Sequence, residues 1–168
     1  MSQNQLEKRI QEANVKYRLN KTAVIGKVEV PILVTKTGLI PRQSTVDFTG
    51  IYSKTYRDPT VRSDFAALVK VGQGIAFDAK ETENKTSFPL KNIHQHQLTF
   101  LEYFQEVGGT AFFIIQFKKL HPDHAFITPL DFVKKFWYDA DSRRSIPYAD
   151  FDQKQLVEID DYLKYFRS

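Results

Sequence analysis

In the segment Ile75-Ala76-Phe77-Asp78-Ala79-Lys80 a carboxylate and an ammonium stand two positions apart within an otherwise apolar run. Along a strand, side chains alternate between faces, so Asp78 and Lys80 project to one side while Phe77 and Ala79 face the other. Such a pair suits phosphodiester chemistry. The carboxylate can hold a divalent cation, and the lysine can stabilise developing negative charge or help to orient an attacking water. An exposed ion pair has the same spacing, so the pair alone decides nothing. A second acid, Asp47, lies in Thr45-Val46-Asp47-Phe48-Thr49-Gly50 among apolar residues. An acid placed there needs a partner or a metal to offset its burial. Two carboxylates and one lysine are what a magnesium-dependent phosphodiesterase requires, because magnesium prefers oxygen ligands and keeps several waters. Glu7, beside the apolar stripe of the first segment, is a third acid able to complete the site through a water. A solvated helix glutamate is the simpler reading of it.

These residues need a frame. From Asn4 to Leu19, Leu6, Ile10, Ala13 and Tyr17 recur at helical steps, which predicts an amphipathic helix. Thr22–Gly26, Val28–Thr35 and Thr45–Tyr52 read as strands, with Thr37-Gly38 as a turn. Polar Ser53–Arg62, containing Asp58-Pro59, reads as a loop. The runs Phe65–Val71 and Ile75–Lys80 flank Gly72-Gln73-Gly74 and suggest a hairpin. Ser87–Lys91 contains Phe88-Pro89 and is expected to be an irregular turn. A helix is predicted over Asn92–Val107, stopped by Gly108-Gly109. Ala111–Lys118 is the most apolar stretch and suits a central strand buried on both faces. His124–Thr128 suggests a short strand. Thr128-Pro129-Leu130-Asp131 then has the form of a helix start, with a capping hydroxyl and a first-turn proline, leading to about Tyr138. A final amphipathic helix would use Leu156, Ile159, Leu163 and Phe166. This order predicts a mixed α/β layer arrangement, one sheet flanked by helices, in a single domain over residues 1–168.

The 168 residues suffice for one stable core. The absence of cysteine excludes disulfides, zinc–cysteine sites, iron–sulfur clusters and cysteine nucleophiles. No G-x-x-x-x-G-K-[ST] loop occurs, which argues against an ATP-driven motor. Neither an export signal nor an apolar run able to cross a bilayer is visible, so a soluble cytoplasmic protein is expected, with no membrane partner. The formal charge of +4 is uneven. Residues 1–62 hold eleven Lys and Arg against five Asp and Glu, and the remainder thirteen against fifteen. A basic first third suits contact with phosphate, and Arg18, Lys27, Lys36 and Arg42 are its candidate DNA contacts. Tyr52 and Tyr56, interleaved with Lys54 and Arg57, are candidates for further nucleic-acid contact.

Residues 77–90 read FDAKETENKTSFPL, and His94-Gln95-His96-Gln97 follows. This stretch resembles the signature of the RecU family of Holliday-junction resolvases, nucleases of the PD-(D/E)xK superfamily. There an acid-Ala-Lys-Glu-Thr segment runs into Asn-Lys-Thr-Ser-Phe-Pro-Leu and then a helix with His-x-His-Gln. Asp47-Phe48-Thr49-Gly50-Ile51-Tyr52 likewise resembles the family's upstream acidic strand. The resemblance covers roughly residues 5–140. It implies a restriction-endonuclease-like mixed sheet flanked by helices, with a short protruding β-stalk at about residues 27–43. It also implies a homodimer that cuts a four-way junction with paired symmetric nicks, using Mg2+ or Mn2+, alongside recombinase or branch-migration partners. By position, Asp47 and Asp78 would bind metal, Lys80 would be the catalytic lysine, and Glu7 a further ligand. Gln97 would touch water or phosphate, and Thr82, Lys85 and Thr86 would face phosphate.

Three departures from the family pattern stand out. Asp78 replaces the usual glutamate, Lys54–Lys70 is inserted between the two acids, and the stalk is short. The long polar N-terminal arm is also missing, and the compactness suggests a phage-encoded member. Two alternatives remain open: a nuclease for other branched or duplex DNA, and a non-catalytic DNA-binding recombination accessory. The aromatic residues Phe100, Tyr103, Phe104, Phe112, Phe113, Phe132, Phe136 and Trp137 are better explained by core packing than by base stacking. His94 and His96 are expected to face different directions, His121 and His124 to be loop residues, and Asp150–Asp161 to form a solvated helix face.

Overall fold

The apolar stripe of the first segment folds as predicted into α1 (Gln5–Leu19), with Asn4 capping it by accepting from the Leu6 and Glu7 N–H groups. The computed structural model describes residues 4–29, 32–41, 46–60, 68–139 and 144–167. After α1 come β1 (Ala23–Lys27), β2 (Ile32–Thr35), β3 (Gly38–Pro41), β4 (Phe48–Arg57), β5 (Leu68–Thr82) and β6 (Ser87–Pro89). Then follow α2 (Gln95–Glu106), β7 (Thr110–Phe117), β8 (His124–Pro129), α3 (Leu130–Trp137), β9 (Ser145–Pro147), β10 (Leu156–Glu158) and α4 (Lys164–Arg167). Six strands form the main sheet in the order β1-β4-β5-β7-β8-β10. Among the described residues, only β5 and β7 pair in parallel, with α2 as the crossover between them. This is the mixed sheet flanked by helices expected of a restriction-endonuclease-like fold. Within the stalk segment, β2 and β3 form a separate two-stranded sheet; Arg42 lies outside the described residues.

The sheet separates two apolar layers. On one face Phe48, Phe77 and Phe112 stack at 5.0 Å across β4, β5 and β7, beneath Leu6, Ile10 and the C-terminal Tyr162. On the other, Phe113, Ile115 and Phe126 pack against Leu98, Leu101 and Val133 from α2 and α3. Strand β7 contributes to both layers and is buried from Phe112 to Phe117, as its composition predicts. At Gly50 a Cβ would lie 2.1 Å from the Val24 carbonyl oxygen, so glycine is what lets β1 pack onto β4. Among the described residues, no helix is long and apolar enough to cross a membrane.

Several sequence expectations are corrected. Ser53–Arg57 is not a loop: it continues β4 and pairs residue by residue with Leu68–Gly72. Gly72-Gln73-Gly74 is not a turn either, because β5 runs through it; a Cβ at Gly72 would press on Ile51 at 2.9 Å. Here glycine makes room rather than bending the chain. The irregular turn at Ser87–Lys91 is a short strand followed by a 3-10 turn at Leu90–Asn92. Pro129 occupies the cap position of α3, and the Thr128 hydroxyl donates to the Phe126 carbonyl instead of capping the helix. The final amphipathic helix is replaced by β10, one 3-10 turn at Ile159–Asp161 and the four-residue α4. Its acids are not simply solvated: Asp160 pairs with Arg9, and Asp161 accepts from the Tyr17 hydroxyl.

Candidate active site

Alternation along β5 builds the site. Ile75, Phe77 and Ala79 enter the layer beneath α1, while Ala76 enters the layer beneath α2 and shares its face with Asp78 and Lys80. Asp78 is fully buried, and its Oδ2 lies 2.8 Å from Lys80 Nζ. That oxygen accepts no well-aligned hydrogen bond, so the ammonium is its charge partner.

Asp47 reaches the same point from the residue just before β4. The antiparallel register sets Phe48 opposite Phe77, which brings Asp47 beside Asp78 and Ala79. The Asp47 N–H donates to Asp78 Oδ1 at 2.9 Å, and the Ala79 N–H donates to Asp47 Oδ2 at 2.9 Å. Each acid is therefore held by the backbone next to the other. The Asp47 carbonyl also accepts from the Val28 N–H at 2.7 Å, fixing the chain as it leaves β1. Burial first, and the charge of Asp78 second, push the Asp47 carboxyl up to about 6. Two carboxylates facing one ammonium leave the pocket short of positive charge.

At the rim, the Glu7 carboxylate forms an ion pair with the Lys27 ammonium. The hydrogen bond to Glu7 raises Lys27 above its usual range, and the charges of Glu7, Asp47 and Glu29 add to the effect. Glu7 is thus turned toward Lys27, whose ammonium also feels the charge of Asp47. Among the described residues, no group of three or more His, Cys, Asp and Glu is arranged to hold a metal.

Gln97 is buried, and its side-chain oxygen accepts from the His94 N–H at the start of α2. The buried Thr82 hydroxyl accepts from the Asn84 N–H. Lys85 and Thr86 are exposed on the following loop, Lys36 on the β2–β3 turn, and Arg18 near the end of α1. Tyr52 is not exposed: it is 4% accessible, with its hydroxyl 3.2 Å from Thr110 Oγ1, whereas Tyr56 is exposed. His94 and His96 do not diverge. Their rings stack at 5.6 Å, because His94 precedes the helix and escapes its angular spacing. His121 Nε2 meets the Tyr148 hydroxyl at 2.7 Å, and His124 begins β8. The ion pair that locks Lys27 to Glu7 was missed from sequence; a register between α1 and β1 was the signal needed, and spacing alone does not provide it.

A mixed sheet flanked by helices, with Asp47, Asp78 and Lys80 converging on its central antiparallel pair, defines the architecture of an α/β protein of the restriction-endonuclease-like class. The family model described as "Recombination protein U" matches residues 3–167. The chain is similar to the Holliday junction resolvase RecU of Ligilactobacillus salivarius, with 36% identity over 88% of this chain and 66% of that protein. It is 36% identical to the protein of the same name from Leuconostoc mesenteroides, over 90% of this chain and 71% of the relative. The Oenococcus oeni protein of that name is 39% identical, over 92% and 75%. The chain belongs to the RecU family, and it spans about two thirds to three quarters of the length of these relatives.

Proposed function

We propose that this protein is a structure-selective endonuclease that hydrolyses phosphodiester bonds in four-way DNA junctions, acting as a homodimer that places two symmetric nicks. The observation that carries the reading is the reciprocal lock between Asp47 and Asp78, with Lys80 on the same β5 face. Family membership and the names of the relatives support the junction as substrate.

The donor set fits a hard divalent cation. Asp47 and Asp78 supply only oxygen, their mutual repulsion is uncompensated beyond one lysine, and Asp78 Oδ2 lacks a well-aligned donor. Mg2+, or Mn2+ in its place, would be held by these two carboxylates. Once bound, the metal polarises the phosphoryl oxygen and lowers the pKa of a bound water. The chain's own groups do the rest. The Ala79 N–H fixes the Asp47 carboxylate, and the Asp47 N–H fixes that of Asp78, so neither acid reorganises when phosphate arrives. Lys80 presents a cation beside Asp78, positioned for charge that develops on the phosphate. Lys27 stands at the rim with its charge paired to Glu7. The exposed Lys85 and Thr86 lie on the loop after β5 and are suited to contact the backbone of the same strand.

The test is cleavage of an end-labelled four-way junction in Mg2+, beside duplex and flap controls, for wild type, Asp78→Asn and Lys80→Ala. Paired nicks on the junction, lost in both variants, are expected. Equal cleavage of every substrate would refute the junction selectivity, and binding without cleavage in either metal would refute the nuclease.

A further inference from the structure

Past Tyr52, β4 no longer pairs with β1, and before Ile75, β5 no longer pairs with β7. Among the described residues, Lys54–Arg57 and Leu68–Val71 therefore pair only with each other, as a two-stranded ribbon extending the sheet. At the base of this ribbon the surface is grooved, and the grooves share residues end to end. The first runs between α1 and β1 from Lys27 to Arg18, past Gly26, where a Cβ would meet nothing within 4 Å. Arg18 also lines the next groove, which continues over Lys21 and Val24 to Lys70. Lys21 and Lys70 in turn line the third, which adds Lys54 and Arg167. Among the described residues, no Asp or Glu lines any of the three. The nearby acids are engaged, Glu7 with Lys27 and Asp161 with Arg167. Arg18, Lys21, Lys54 and Lys70 are all exposed.

We propose that this basic track is a second DNA-contact surface, which holds the phosphate backbone of a duplex arm leading away from the catalytic acids. The proposal rests on the nuclease reading above and assigns that enzyme a grip on DNA remote from the cut. One end of the track is fixed at the site, because Lys27 pairs in register with Phe48, next to Asp47. The other end is fixed by the pairing of Lys70 with Thr55. The eight residue steps from Asp47 to Thr55 span about 26 Å at about 3.3 Å per step. Duplex DNA rises about 3.4 Å per base pair, so the far lysines meet phosphates about eight base pairs from the scissile bond. Such contacts carry no base information. They add affinity that depends on salt and on the length of the arm. A run of exposed cations over Arg18, Lys21, Lys54 and Lys70, with Glu7 and Asp161 held in ion pairs at its two ends, fits a polyanion of regular repeat.

The experiment compares wild type with Lys21→Gln/Lys70→Gln in metal-free binding to junctions whose arms are about 6 or about 16 base pairs, on either side of the eight-base-pair reach. Single-turnover cleavage in Mg2+ at saturating DNA runs in parallel, and a Lys21→Arg/Lys70→Arg protein controls for folding. With long arms the Gln variant is expected to bind about tenfold or more weaker near 0.1 M salt, with a salt slope smaller by about two phosphates' worth. With short arms the two proteins should bind alike, the Arg variant should behave as wild type, and cleavage at saturation should be unchanged. Equal binding to long arms, or the same loss on short ones, would overturn the track while leaving the nuclease standing. Length-dependent binding by a wild type that never cleaves would sink the nuclease and leave the track. A loss seen only when an acidic protein partner is added would assign the surface to that partner and overturn the proposal.

Discussion

Replacing Asp47 with asparagine should stabilise the metal-free protein while destroying its site. Burial and the adjacent Asp78 lift the Asp47 carboxyl from its ordinary 3.8 to about 6. The folded state then binds the proton more tightly than the unfolded chain does, so stability falls as pH rises through this interval and levels off above it. At about 1.36 kcal/mol per pH unit the full penalty at pH 7.5 is about 3 kcal/mol, and partial solvent exposure reduces it to roughly 1.5–3 kcal/mol. Asparagine carries no charge and retains an oxygen to accept the Ala79 N–H, while its amide can donate toward Asp78. For a domain of this size the gain corresponds to a rise in Tm of roughly 3–12 °C at pH 7.5. The assay is thermal unfolding in chelator at a series of pH values from 4 to 8. The gap between the Asp47→Asn variant and wild type should be near zero at pH 4, open between 4 and 6.5, and stay constant above. A variant that melts below wild type at pH 7.5, or a gap that ignores pH, would refute a carboxyl raised by burial and by its neighbour Asp78.

Other consequences are open to measurement. Added Mg2+ should raise the wild-type Tm more at pH 7.5 than at pH 5, because Asp47 must lose its proton to bind metal; an increment that is flat with pH contradicts this. Lys80→Met leaves Asp78 buried without its cation, and should cost about 1–3 kcal/mol in urea unfolding and at least about a hundredfold in cleavage rate. Gly50→Ala drives a methyl into the Val24 carbonyl and should destabilise by about 3 kcal/mol or more; soluble protein with wild-type unfolding would disprove the close approach. Gln97→Ala removes the acceptor for the His94 N–H and should lower stability by about 1 kcal/mol, read from the same urea titration.

What was legible in the sequence follows from what is periodic. Asp78 and Lys80 fall on one face because a two-residue repeat admits no other outcome in a strand, and β5 is paired over its whole length. The strand over Ala111–Lys118 was legible because a sheet interior demands apolar residues on both faces. The ribbon was not, because Lys54–Tyr56 are all exposed and impose no alternation, and an exposed strand reads like a loop. The C-terminal segment misled for the opposite reason. Ile159, Leu163 and Phe166 recur at helical steps, yet they fall in a 3-10 turn, a turn of the chain and the short α4, held where the Leu163 N–H donates to the Tyr17 hydroxyl. Tyr52 looked exposed beside Lys54, but it lies on the β4 face that meets the α1 layer, while Lys54 extends past it into solvent.

The lock between the two acids depends on information that spacing does not contain. Asp47 and Asp78 are 31 positions apart, and only the register of β4 on β5 converts that separation into a shared pocket. A slip of one residue would turn every side chain of β4 to the opposite face and send Asp47 away from Asp78. The Phe48–Phe77–Phe112 stack opposes such a slip, since it buries three rings on the face beneath α1 only in the observed register. Residues that never touch the substrate thus set the geometry of those that would. The same argument reaches the ribbon: the register that joins the acids also fixes Thr55 opposite Lys70. Catalytic pocket and remote lysines are two points on one ladder, and their separation is set by the pairing of the strands.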